Sequence, residues 1–144
     1  MDIIHKVGIK GSTTDRVYHA LTTLEGLCGW WTSTTTGDGG KVGGVLHFHF
    51  GSKTMDMKVA ELEIGQRVVW EVLEETGEWR GTRIVFDLKQ KQNDAIVLFE
   101  HQGWREATDM MHHCSTKWGT FMMSLKSLLE HGKGAPFPND VHIE

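Results

Sequence analysis

The sequence contains only two cysteines, Cys28 and Cys114, and they lie far apart among its 144 residues. A secreted scaffold held by disulfides would need more cysteines, and a zinc site would need more closely spaced ligands. No segment approaches the roughly 20 apolar residues of a membrane span, and the first residues lack the basic start and apolar run of a signal peptide. We therefore expect two free thiols, no membrane association and a cytoplasmic location.

Blocks of like charge and familiar catalytic sets are also missing. The formal net charge is −4 and both signs are scattered along the chain. Nucleic-acid binding depends on clustered basic residues, so we expect no nucleic-acid partner. We find no glycine-rich phosphate loop, no serine–histidine–aspartate set and no paired acidic dyad. The sequence therefore predicts no catalytic residues, no metal site and no cofactor.

The length fits one domain covering residues 1–144. A domain of this size buries roughly 70% of the surface of its unfolded chain, which is enough for a core without disulfides. Residues 3–10 alternate loosely as a first strand, and residues 12–31 have the apolar spacing of two short helices. Alternation with period two then predicts antiparallel strands with one buried face. The positions predicted on that face are Leu46, Phe48, Phe50, Met55, Met57, Val59, Val68, Trp70, Val72, Ile84, Phe86 and Leu88.

A long helix is predicted from about Thr108, as the N-cap, to His131, with Gly132 as its stop. Its apolar stripe comprises Met111, Cys114, Trp118, Met122, Leu125 and Leu129. Residues 133–144 are predicted to form an extended, loose tail. A wide sheet needs cover on its apolar face, and only this helix is long enough. We therefore predict an α+β fold in which a curved six- to seven-stranded antiparallel sheet wraps around the C-terminal helix, with two short helices after strand 1.

Several motifs along the chain carry a family resemblance. They are Val17–Thr22, Leu27 with Trp30 and Trp31, Gly43–Gly44 before Leu46–Phe48, Thr82–Leu88, His101–Trp104 and Trp118–Gly134. Together they resemble the START-like (SRPBCC, helix-grip) superfamily, in particular its bacterial branch similar to the Hsp90 ATPase activator (AHSA1-like). The resemblance implies the helix-grip fold and inward-facing Val97, Phe99 and His101. Because that superfamily includes lipid carriers, hormone receptors and polyketide cyclases, it does not specify one activity.

Inward-facing aromatic and sulfur-containing side chains are predicted to line a ligand cavity. Methionine adapts to irregular surfaces, and tryptophan offers a flat apolar face with one N–H donor. Such a lining suits a small apolar or aromatic ligand. The alternative is that each of these residues simply belongs to the core. The predicted ligand-binding residues are Trp31, Phe48, Met57, Trp70, Phe86, Phe99, His101, Met111, Cys114, Trp118 and Met122.

Some polar and aromatic residues allow more than one interpretation. His101 could lie at the cavity mouth as a proton shuttle, or could be a hydrogen-bonded structural histidine. His47 and His49 share the outer face of one strand, where a surface role is favoured over half a metal site. Cys114, on the apolar helix face, is predicted to pack rather than to act as a nucleophile. Trp79, in a glycine-flanked turn with little core to join, is either a pocket lid or a contact with a second subunit.

The leading functional hypothesis is a noncatalytic small-molecule-binding protein with an internal cavity. A cyclase- or hydrolase-like enzyme that uses His101 as acid or base is one alternative. A co-chaperone or other protein-interaction module is the other, and a homodimer is compatible with each of the three.

Overall fold

The structure is a computed structural model that describes all residues, Met1–Glu144. Its elements are β1 (Ile3–Ile9), α1 (Thr14–Thr22), α2 (Leu24–Trp30), β2 (Thr35–Gly37), β3 (Val45–Phe50), β4 (Lys53–Glu63), β5 (Arg67–Val72), β6 (Arg83–Lys91), β7 (Asp94–Gln102) and α3 (Asp109–His131). The seven strands form one antiparallel sheet in the order β1-β7-β6-β5-β4-β3-β2. The predicted α+β helix-grip fold is confirmed, including the two short helices after β1.

Alternation along the strands determines which side chains meet α3. On β7, Val97, Phe99 and His101 are buried on the inner face, so the orientation implied by the family resemblance is correct. The short strand β2 lies between the two short helices and the strands predicted from alternation, and it was not predicted from the sequence. Inner residues from the sheet and helices form one cluster of 29 buried hydrophobic residues.

Helix α3 begins and ends at the residues that the sequence indicates. The Thr108 hydroxyl accepts a hydrogen bond from the Met111 N–H (3.2 Å), and Gly132 ends the helix with a φ of 79°. A positive φ is easily adopted by glycine, which explains the residue type at the stop. The inner stripe buries Cys114 and Trp118, among others, against the sheet. Although α3 has 23 residues, neither it nor any other helix has the length and hydropathy needed to span a bilayer.

The C-terminal tail differs from the prediction, because it is bound to the domain rather than loose. The Phe137 N–H donates to the Trp31 carbonyl (2.8 Å), and the Ser33 N–H donates to the Phe137 carbonyl (3.0 Å). Farther along, Asp140 forms an ion pair with Lys117 of α3. These contacts have no periodic sequence pattern, and they join distant positions, 23 residues apart for Lys117 and Asp140 and more than a hundred for Trp31 and Phe137.

Helices α1 and α2 cross so closely that only glycine fits at one point of contact. A Cβ atom on Gly26 would lie 2.5 Å from the Ala20 Cα and 2.6 Å from the Ala20 carbonyl oxygen. The same Ala20 carbonyl accepts a hydrogen bond from the Trp30 indole N–H (2.9 Å). This crossing therefore positions Trp30 and its neighbour Trp31.

We expect Gly26→Ala to lower the free energy of unfolding by about 1–3 kcal/mol, because the added methyl group would collide with backbone atoms. Gly119→Ala in α3 is the matched control, since its Cβ would meet only the His5 ring at 3.7 Å. That control should be neutral or stabilising by about 0.5–1 kcal/mol. Urea denaturation monitored by circular dichroism compares the two variants. Equal stabilities for the two would show that the α1–α2 contact is not the constraint described here.

Candidate functional site

A cavity of about 680 Å³ lies beside the N-terminal half of α3. Strand β4, the end of β3 and the loop between β5 and β6 complete its wall. Its apolar lining consists of Trp31, Phe50, Met55, Trp79, Met110, Cys114, Trp118 and Phe121. Its polar lining consists of Lys53, Glu78, Asp109, His113, Lys117 and Glu144. The site is thus an apolar and mainly aromatic chamber with charged groups among its lining.

Trp31 connects the cavity wall to the core. Its ring lies parallel to that of Trp70, with an interplanar angle of 4° and centroids 5.9 Å apart. It also contacts Phe48 at 4.2 Å and Trp118 at 4.9 Å between centroids. Offset and tilted aromatic contacts of this kind are favourable beyond the area that they bury. The wall is consequently stiff, because moving Trp31 would disturb several packed rings.

Trp79 covers the cavity from the β5–β6 loop. Its ring stacks on Trp118 with centroids 6.1 Å apart and contacts His101 edge-on at 4.6 Å. The expectation that this residue has little core to join is wrong, because it packs against the main hydrophobic cluster. Of the two roles predicted for it, the position matches a cavity lid. A contact with a second subunit stays a prediction.

His101 lies in the core behind Trp79 and Trp118, not at the cavity mouth. The Trp118 indole N–H donates to His101 Nδ1 (3.1 Å), so Nδ1 carries no proton in the neutral ring. The proton is therefore on Nε2, which donates to the Thr82 hydroxyl (2.9 Å). That hydroxyl in turn donates to the Trp79 carbonyl (2.6 Å). This chain of hydrogen bonds links α3, β7 and the turn that carries Trp79.

Burial keeps the His101 ring neutral by lowering its pKa from 6.5 to about 3. A protonated ring would also lose the hydrogen bond from Trp118, because both ring nitrogens would then be donors. The side chain is fully buried and both nitrogens already have partners. This environment gives His101 a structural role and leaves no free nitrogen for a bound substrate.

Cys114 contributes a thiol to the cavity wall. Burial raises its pKa, while the Trp79 indole and the Lys53 ammonium group partly lower it and the Glu78 carboxylate raises it. A raised pKa keeps the thiol protonated, and the thiolate is the nucleophilic form. The packing role predicted for Cys114 is therefore consistent with its surroundings. Neither Cys114 nor Cys28 forms a disulfide.

Two segments outside the sheet hold charged groups at the cavity. Lys117 of α3 forms an ion pair with Asp140 and donates to the Val141 carbonyl (2.7 Å). His113 Nδ1 lies 2.7 Å from Glu144 Oε1. The tail therefore borders the cavity, and two of its carboxylates contact side chains of α3.

The predicted site residues separate into three groups. Those that line the cavity are Trp31, Cys114 and Trp118. Those buried in the core outside the lining are Phe48, Met57, Trp70, Phe86, Phe99, His101 and Met122. Met111 is half-buried against the core and does not line the cavity.

The sequence analysis did not name several lining residues as ligand contacts. Phe50 and Met55 were already on the predicted inner face of the sheet. Phe121 follows Trp118 by three positions and so lies on the same side of α3. All three could have been predicted as lining residues from the periodic pattern. Lys53, Glu78 and Glu144 had no such signal, because Lys53 is the exposed first residue of a strand and the other two lie in a loop and in the tail, where there is no period.

His47 and His49 point to the outer face of the sheet, as predicted. His47 Nδ1 is 2.6 Å from Asp56 Oδ1. His49 Nδ1 is 3.0 Å from the Thr54 hydroxyl, and its Nε2 is 3.3 Å from the Thr36 hydroxyl. Each ring is thus bonded to its own cross-strand neighbours.

A curved antiparallel sheet gripping a long C-terminal helix, with an aromatic cavity between them, defines a START-like helix-grip protein. Residues 12–130 match the family model described as "Activator of Hsp90 ATPase homolog 1-like protein". The chain belongs to that family, as its sequence motifs suggested.

Solved structures agree with this assignment. The Aha1 dimer from Colwellia psychrerythraea is 41% identical, with a TM-score of 0.86 over 93% of this chain and 99% of the other. SSP2350 from Staphylococcus saprophyticus is 18% identical, with a TM-score of 0.76 over 93% and 95%. CalU16 from Micromonospora echinospora is 17% identical, with a TM-score of 0.75 over 92% and 75%. The last two show the fold alone. No match to a curated protein was found.

The depressed pKa of His101 predicts a loss of stability in acid. Its folded value of about 3 lies below the ordinary value of 6.5, so the stabilisation is fully present above pH 6.5 and is lost as the pH falls toward 3. We expect the free energy of unfolding to fall in this window by up to about 1.4 kcal/mol per pH unit from this group. Urea titrations at a series of pH values measure the slope.

His101→Gln should reduce that slope, whereas His131→Gln, at an exposed position, should retain it. An unchanged slope in His101→Gln would mean that other groups cause the acid sensitivity.

Proposed function

We propose that this protein binds a small, mainly apolar or aromatic molecule in the cavity beside α3 and does not act on it chemically. The observation that carries the proposal is a cavity of about 680 Å³ with tryptophan and phenylalanine side chains in its wall. Pockets for drug-sized ligands range from roughly 300 to 1,000 Å³ and have mostly apolar linings. The size and the lining of this cavity both fit that class.

The wall combines rigid and adaptable side chains. Trp31, Trp79 and Trp118 are held by ring contacts, and two of them also by the hydrogen-bond chain through His101. Met55 and Met110 are flexible thioethers that can adjust to different shapes. Rigid aromatic faces favour a flat ligand, and the flexible methionines can adapt to different substituents at its edges.

The enzymatic alternative has less support. Its candidate acid or base, His101, is neutral, fully buried and hydrogen-bonded through both ring nitrogens. A general base must reach the proton that it removes, directly or through one water molecule. Binding therefore fits the geometry better than catalysis does.

Filling the cavity provides the direct test. Cys114 is 7% exposed in the cavity wall, and we expect Cys114→Phe to weaken binding of the neutral fluorescent probe N-phenyl-1-naphthylamine at least about tenfold, since the new ring occupies the space that the ligand needs. Met123→Phe, at an exposed position on α3 outside the cavity, should bind the probe like the original protein. Thermal unfolding confirms that both variants are folded. Equal affinities for Cys114→Phe and the original protein would contradict the proposal.

We also propose that the protein forms a homodimer. The support is the 41% identical Aha1 from Colwellia psychrerythraea, whose solution structure is described as a dimer and which aligns over 99% of its length.

Size-exclusion chromatography with light scattering measures the oligomeric state. We expect a mass twice that of the chain, decreasing toward the single-chain mass only on dilution. A single-chain mass at every concentration would rule out the dimer and leave the cavity proposal unaffected.

A further inference from the structure

We infer that the ligand is a flat aromatic molecule with one anionic group, and that Lys53 binds this group at the cavity mouth. The inference rests on the proposed function, because it names the chemistry of the molecule in that cavity. A carboxylate, sulfonate or phosphate would satisfy it equally, since each presents negatively charged oxygens to an ammonium group.

Two basic side chains of the lining are already engaged with the tail. Lys117 is only 20% exposed, forms an ion pair with Asp140 and also donates to the Val141 carbonyl. His113 is bound to Glu144. Neither group is available to a ligand unless the tail is displaced.

The acidic groups Asp109 and Glu78 of the lining are stabilised by backbone N–H groups and by a hydroxyl group, respectively. Asp109 lies in the first turn of α3, where the free N–H groups of the helix stabilise a carboxylate. Glu78 accepts a hydrogen bond from the Thr108 hydroxyl. The Arg105 guanidinium donates to the carbonyls on either side of Glu78, those of Gly77 (3.0 Å) and Arg80 (2.8 Å).

Lys53 is different, because it lines the cavity without an ion pair or a side-chain hydrogen bond to the protein. It begins β4 directly after the Gly51–Ser52 turn, so its long side chain is exposed and can turn toward the mouth. Its charge reaches the wall, where it lowers the pKa of Cys114 that burial and Glu78 raise. Lys53 is therefore the one basic side chain of the lining that is free to contact an anion.

Three tryptophans in the lining of the same cavity indicate an aromatic ligand. Trp79 and Trp118 are nearly parallel, with an interplanar angle of 24°, and Trp31 lies 4.9 Å from Trp118. These faces favour a flat ring system, and an anionic group fixed at Lys53 would orient it. The net charge of −4 opposes binding of an anion to the protein as a whole, so a local cation has to provide the attraction.

Two fluorescent probes with the same ring framework test the inference. They are 1-anilinonaphthalene-8-sulfonate, an anion, and N-phenyl-1-naphthylamine, its neutral counterpart. We expect Lys53→Met to weaken binding of the sulfonate about threefold to fivefold and to leave the neutral probe unchanged, because an exposed ion pair contributes modestly. The sulfonate should also bind the original protein more weakly as ionic strength rises, and this dependence should disappear in Lys53→Met.

Lys41→Met is the matched control, because it removes the same charge from an exposed lysine that lies outside the cavity and pairs with Asp38. It should leave the affinity for both probes unchanged. Equal weakening of both probes by Lys53→Met, or equal weakening of the sulfonate by both lysine variants, would overturn the inference while the cavity proposal stands. Binding of either probe that Cys114→Phe does not weaken would instead overturn the proposed function itself.

Discussion

The hydrogen bond from the Trp118 indole to His101 is the interaction on which the arrangement of the cavity depends. It joins the long helix to the last strand of the sheet in the middle of an otherwise apolar core. Because the neutral histidine accepts through Nδ1, it donates through Nε2 to the Thr82 hydroxyl. This hydroxyl in turn donates to the Trp79 carbonyl, so the position of Trp79 also depends on His101. A single protonation state of one ring thus determines the relative positions of two tryptophans on different elements.

Two other tryptophans show what a hydrogen bond to a buried indole N–H contributes to stability, because their indoles have no partner. The Nε1 atoms of Trp70 and Trp104 are buried without a hydrogen-bond partner, and each unpaired donor costs roughly 1–3 kcal/mol. Trp30 and Trp118 avoid that cost through the Ala20 carbonyl and His101. The rings pack densely around Trp31 and Trp70, and Trp31 and Trp118 also border the cavity. The cavity lies where ring packing stops.

Sequence reasoning predicted the fold well because the fold is encoded in periodic patterns. The alternation of Phe48 and Met57 and the stripe containing Trp118 each identify a buried face, and a long helix is the only cover for so wide a sheet. The site was harder to predict because burial on the inner face does not distinguish the residues that border empty space from those behind them. Phe86 and Met122 satisfy the pattern as well as Trp31 does, yet they pack in the core. Whether an inner residue lines the cavity or packs in the core depends on the distance between α3 and the sheet at its position. A local sequence pattern contains no information on that distance.

The tail has a consequence for how relatives with this fold can diverge. The family match ends at residue 130, whereas Asp140 and Glu144 bind the helix side chains at the cavity, and Glu144 forms part of its lining. No residue of the tail belongs to the cluster of 29 buried hydrophobic residues, so the contacts of this segment at the cavity are separate from the core. Substitutions in the last few residues can alter which molecules enter without disturbing the hydrophobic cluster, so selectivity and foldability can evolve independently in proteins built on this plan.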